Sequence, residues 1–112
     1  MPCSYSIDPQ QQAHSLWLSG VELILRNLYP EAASLLREAV LLNPHLASAH
    51  NDLGVLMESL GNPHDALQCY QAALAADPKH REAKRNLASL ALQLDLTRAL
   101  RHIPRVPYRP AA

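Results

Sequence analysis

Six histidines, two cysteines and ten acidic residues are what this 112-residue chain offers to metal or acid–base chemistry. A helix presents a metal with two histidines only when they lie one turn apart on one face. His14, His45, His50, His64, His80 and His102 never recur at three or four residues on one helix. His45 and His50 come nearest, but they flank a helix start and lie five apart, and no carboxylate–histidine cluster accompanies them. The sequence therefore predicts no metal and no cofactor. It also contains no glycine-rich phosphate loop, no nucleophile motif and no carboxylate pair that a fold would gather into a pocket. Asp52 and Glu58 are better read as an acidic, solvated groove, and the chain is not expected to be an enzyme. Cys3 and Cys69 make no disulfide framework, which predicts reduced thiols and a cytoplasmic setting.

What remains is recognition chemistry, and it depends on helices. Between Ala47 and His80 the chain reads as helix, tight turn, helix, stop. Leu53, Gly54 and Met57 share one helical face, Gly61-Asn62-Pro63 breaks the chain, and Ala66, Tyr70 and Ala73 line a second face. Asp77-Pro78 ends the second helix, because proline pushes the residue before it out of helical geometry. The same pattern lies one step upstream, where Gly20, Ala32, Leu36, Ala39 and Pro44 precede Gly54, Ala66, Tyr70, Ala73 and Pro78. All five pairs share an interval of about 34 residues. Leu87, Ala88 and Ala91 then answer Leu53, Gly54 and Met57 in a partial third copy.

This period and these small residues resemble the tetratricopeptide repeat family, over roughly Ala13 to Gln93. The resemblance implies an all-α fold, an α-solenoid of antiparallel helix pairs with two full repeats and a partial third, capping helix. Gly20, Gly54 and Ala88 would sit where the first helix of each repeat crosses its partner. Neighbouring repeats then share a core that neither could form alone. The expected organisation is a flexible N-terminus over 1–8, repeats over about 13–46 and 47–80 with a partial repeat over 81–103, and a Pro/Arg-rich tail over 104–112. Asp8 and Pro9 suit the N-cap and first position of the first helix, with Gln11 placed to complete a capping box. The final segment reads as one long or bent helix to about His102.

In this family the first helix of each repeat lines the concave face. The register assigns His14, Trp17, Leu18, Val21, Ile24 and Leu25 to that face in the first repeat. The second supplies Ser48, Asn51, Asp52, Val55, Glu58 and Ser59, and the third helix Glu82, Arg85, Asn86, Ser89, Leu92 and Gln93. One end of the groove is thus apolar and the rest polar. Burying each of the large apolar side chains is worth about 1.5–3 kcal/mol, so something should cover them.

Composition narrows the classes of partner. The formal charge is zero and Phe is absent, with 48% hydrophobic residues, which fits one aliphatic, alanine-rich helical domain and argues against nucleic acid. No apolar run nears the ~20 residues of a membrane span, and Met1–Gln12 lacks the pattern of a signal peptide. Charge is unevenly placed: residues 1–80 carry eight acidic against three basic side chains, and residues 81–112 two against seven. Such polarity suits head-to-tail association or an acidic partner at the basic end. The tail's Arg101, Pro104, Pro107 and Arg109 resemble proline-recognition ligands, though a solvated tail is the plainer reading.

The sequence thus predicts a protein-interaction module, an adaptor or assembly factor that binds a peptide or helix in the concave groove. Trp17, Leu18, Val21, Ile24 and Leu25 would anchor the apolar part and Asn51, Asp52, Arg85 and Asn86 would set polar register, with Val55 and Ser89 also on the partner-binding face. A small secretion-type chaperone shielding an apolar export substrate is the alternative, followed by a self-associating scaffold or homo-oligomer. Some family members clamp the C-terminal carboxylate of heat-shock chaperones with lysines, an arginine and asparagines. The matching positions here are Trp17, Val21, Asp52, Glu82 and Asn86, which provide no cation and two repelling carboxylates, so that clamp is not expected.

Overall fold

In a computed structural model that describes residues 8–102, the chain forms five helices. These are α1 (Pro9–Leu25), α2 (Tyr29–Leu42), α3 (Ala47–Ser59), α4 (Pro63–Ala76) and α5 (Arg81–His102). The expectations for Met1–Ile7, Cys3 and the Pro/Arg tail lie outside the described residues. Three of the helix starts have a local cause. The Asp8 carboxylate accepts from the Gln10 amide at 3.1 Å, and Pro9, Pro30 and Pro63 occupy opening turns where a missing N–H costs nothing.

The turns repeat with the period. α1 ends with Asn27 at φ 62°, the Leu28 amide donating to the Leu23 carbonyl and the Asn27 amide to that of Ile24. α3 ends likewise, with Gly61 at φ 82°, Asn62 donating to Met57 and Gly61 to Glu58. Both are Schellman endings, which need one left-handed residue, and asparagine serves in one repeat where glycine serves in the next. α2 and α4 stop at extended residues, Asn43 and Asp77, each preceding a proline. Their side chains accept from the amides of His45 and Lys79, both at 3.1 Å.

α1 packs on α2 and α3 on α4, and the two pairs join through α2 and α3. α5 lies mainly against α4, touching α3 more lightly. The result is an all-α solenoid of antiparallel helix pairs, with no strand among the described residues. Its core runs continuously through Ala32, Leu36, Leu53, Leu56, Tyr70 and Leu90. Glycine permits a close approach within each of the first two helix pairs. A Cβ on Gly54 would lie 2.5 Å from a Tyr70 ring carbon, and one on Gly20 would lie 3.0 Å from Leu36.

The third crossing differs from expectation. Ala88 occupies the register of Gly20 and Gly54 but is exposed, because α5 continues as one helix to His102 and, among the described residues, no second helix returns across it. Instead Ala83 and Leu90 bind α5 to the stack, both essentially buried.

Candidate functional site

The first helices of the successive pairs, α1, α3 and α5, frame a cavity of about 440 Å³. Its lining is Trp17 and Val21 from α1, Ser48, Asn51 and Asp52 from α3, and Arg81 and Glu82 from α5, with His80 at the α5 start. A larger hollow, about 560 Å³, lies between the beginning of α4 and the second half of α5, lined by Pro63, His64, Leu94, Thr97, Arg98 and Arg101. The smaller cavity carries the site because it joins all three first helices and brings distant parts of the chain together.

Two hydrogen-bonded links hold it. The Trp17 indole Nε1–H donates to Asp52 Oδ2 at 2.7 Å, across 35 residues. Asn86 donates to Asn51 Oδ1 at 3.0 Å, and Asn51 in turn donates to Glu82 Oε2 at 3.5 Å, the outer limit of such a bond. Asn51 is only 2% exposed, so this amide is committed to holding α3 to α5. His14 covers the edge of Trp17, ring centroids 5.3 Å apart. His80 Nδ1 accepts from the Ala83 amide at 3.1 Å, capping the first turn of α5.

Burial raises the Asp52 pKa above its ordinary 3.8. The Trp17 bond opposes that shift, and the charge of nearby Glu82 reinforces it. The groove floor therefore holds two carboxylates, one of them partly desolvated. Behind it, Tyr70 is fully buried and its hydroxyl donates to Glu58. Burial first, then that carboxylate, pushes the phenol pKa up.

The residues picked from sequence divide clearly. Trp17, Val21, Asn51 and Asp52 line the cavity, and Asn86 supports it through Asn51. Ile24 packs against the core. Leu18 and Leu25 are 51% and 79% exposed, and Val55 is 40% exposed; none of the three lines the cavity. Arg85 and Ser89 are also exposed outside it. The apolar set divides because, at roughly 100° per residue, Trp17, Val21 and Ile24 share a face that Leu18 and Leu25 do not. Spacing alone missed His80 and Arg81. The available signal was register: Arg81 answers Ala47, a buried position that a guanidinium leaves for the groove. Among the described residues no group of three or more His, Cys, Asp or Glu side chains is placed to hold a metal ion. No helix of the described residues is long and apolar enough to cross a membrane.

The sequence model of the tetratricopeptide repeat matches residues 47–80. No curated protein matches the chain. Among solved structures, a crystal structure of MamA protein is similar at 20% identity and a TM-score of 0.66, over 90% of this chain and 63% of that one. A second MamA crystal structure gives 20% identity and 0.61, over 83% and 63%. The chain thus spans less than two thirds of the length of either MamA structure. The first TPR of Spaghetti (RPAP3) bound to HSP90 peptide SRMEEVD is similar at 19% identity and 0.54, over 77% of this chain and 95% of that one. Residues 47–80 are a tetratricopeptide repeat, set in a chain whose fold is that of tetratricopeptide proteins.

Proposed function

We propose that the chain is a protein–protein interaction module, an adaptor or assembly factor, whose groove between α1, α3 and α5 receives an extended segment or helix of a partner. The observation that carries this reading is the cavity joining the first helices of three successive units, with an apolar wall at Trp17 and Val21 facing the polar groups of Ser48, Arg81 and Glu82. Its chemistry favours a partner segment that places a basic side chain beside an apolar one. Asp52 and Glu82 together exceed Arg81 in charge, and the desolvated Asp52 carboxylate gains most from a cation. An acidic terminus like that of the peptide bound to the RPAP3 domain would meet two carboxylates.

Binding of a panel of basic-apolar and acidic-apolar peptides, read by fluorescence anisotropy, tests this. Basic members should bind, and Val21→Asp and Glu82→Lys should each weaken them while helicity is unchanged. Equal binding of both classes, or binding indifferent to both substitutions, would sink the reading.

A further inference from the structure

The turn that ends the first helix of a repeat does not recur in the third. Asn27 and Gly61 make it in the first two pairs, in left-handed geometry. The third register reads Asp95-Leu96-Thr97 where the second has Gly61-Asn62-Pro63. With no glycine to take the turn and no proline to open a new helix, α5 runs straight on. It has 22 residues against the 14 of α4 and passes the point where α4 begins. At roughly 100° per residue, one side of α5 carries Ala83, Leu87, Leu90 and Leu94, which pack on the stack. Thr97, Arg98 and Arg101 continue that same side. With Leu94 they close the hollow of about 560 Å³ against Pro63 and His64 of α4. The side of α5 that faces the stack thus changes from apolar to basic where α4 gives out.

Among the described residues these two arginines have no counter-charge, since the only ion pair is Arg26–Glu22. Asp95, one turn before Arg98, makes none with it, and Asp65 lines a neighbouring hollow rather than this one. Residues 103–112 bring Arg105 and Arg109 and no acidic side chain. The Thr97 hydroxyl is committed to the Gln93 carbonyl at 2.8 Å, which leaves two guanidiniums and the His64 imidazole as the side-chain donors of the hollow.

We propose that this hollow binds a phosphorylated side chain of a partner protein, with Arg98 and Arg101 holding the phosphate and Leu94 and Pro63 meeting an apolar residue beside it. Two guanidiniums one turn apart on a helix present two forks and two charges. A phosphomonoester carries about −1.5 to −2 at neutral pH with three acceptor oxygens, so it takes both forks at once. A single carboxylate fills one fork and leaves the second arginine unpaired. Nucleic acid is the poorer match. Its backbone phosphates carry one charge each and its bases need aromatic stacking platforms, whereas no Trp or Tyr lines this hollow. None of the lining residues belongs to the groove at Trp17 and Asp52, so the site goes beyond the groove reading and does not rest on it.

Fluorescence anisotropy on the full chain is the test, with a labelled peptide that carries one phosphoserine beside leucine and with its serine and glutamate counterparts. The phosphoserine peptide should bind about tenfold more tightly than the glutamate one, and the serine one most weakly. Arg98→Gln and Arg101→Gln should each weaken it about tenfold, with the helical signal retained because both sites are exposed. Arg98→Lys, which keeps the charge but not the fork, should recover only part of the loss. Equal binding of the three peptides, or binding indifferent to both glutamine variants, would overturn the proposal. So would inorganic phosphate or a single-stranded oligonucleotide that binds as tightly as the phosphopeptide, since a free anion or a nucleic acid would then be the ligand. A basic-apolar peptide in the groove should bind the double glutamine variant as it binds wild type, so failure at one site is read apart from failure at the other.

Discussion

Trp17 and Asp52, 35 residues apart, join α1 to α3 through an indole-to-carboxylate hydrogen bond of 2.7 Å. The bond crosses the boundary between two repeats, so it reports how the stack is set, and Trp17 is the chain's single tryptophan.

Asp52 should therefore be readable by fluorescence. Its native pKa lies above 3.8 through burial, so Trp17 emission should titrate with a midpoint above that value. Asp52→Asn, which can still accept the indole bond, should abolish the titration. A midpoint at or below 3.8, or its persistence in the variant, would contradict the assignment.

The same shift has a signed effect on stability. A raised native pKa means the folded state holds the Asp52 proton more tightly than the unfolded chain does. The stabilisation is complete below the unfolded-state pKa and is lost as pH climbs through the native one. Thermal unfolding followed by circular dichroism should show Asp52→Asn gaining on wild type across that window and holding the gain at neutral pH.

The three glycines should respond to substitution for two different reasons. Gly54→Ala places a Cβ inside the Tyr70 ring contact and should cost about 1–3 kcal/mol through overpacking. Gly20→Ala presses on the branched end of Leu36, with the Ala32 carbonyl oxygen at ordinary contact distance, and should cost less. Gly61 has open space but a left-handed backbone, so Gly61→Ala should cost about 1 kcal/mol from conformation alone. Gly61→Asn should recover part of that, since Asn27 holds the matching position at φ 62°. Urea unfolding would rank the four, and a Gly61→Ala loss as large as that of Gly54→Ala would overturn the distinction.

Asn51 should act as the bolt between α3 and α5. Asn51→Ala removes the acceptor of Asn86 and leaves a polar gap at a site only 2% exposed, a loss of about 1–3 kcal/mol. Hydrogen exchange should speed up in α5 before α1 and α2 are affected. Uniform acceleration across all helices would refute this placement.

The sequence alone determined the period, the helix stops at Asn43-Pro44 and Asp77-Pro78, and the glycine crossings at Gly20 and Gly54. Each of these rests on contacts within one helix pair or on backbone geometry of a few residues, and local spacing encodes such things directly. Tertiary structure decided the partners across repeats. The angle between successive pairs drew Asp52 to Trp17 and committed Asn51 to Asn86, whereas helical spacing had assigned all of them to one solvent-facing surface. It also left Ala88 uncovered among the described residues. A residue's face follows from its position in a helix; what stands opposite that face depends on which helix the rest of the chain returns there.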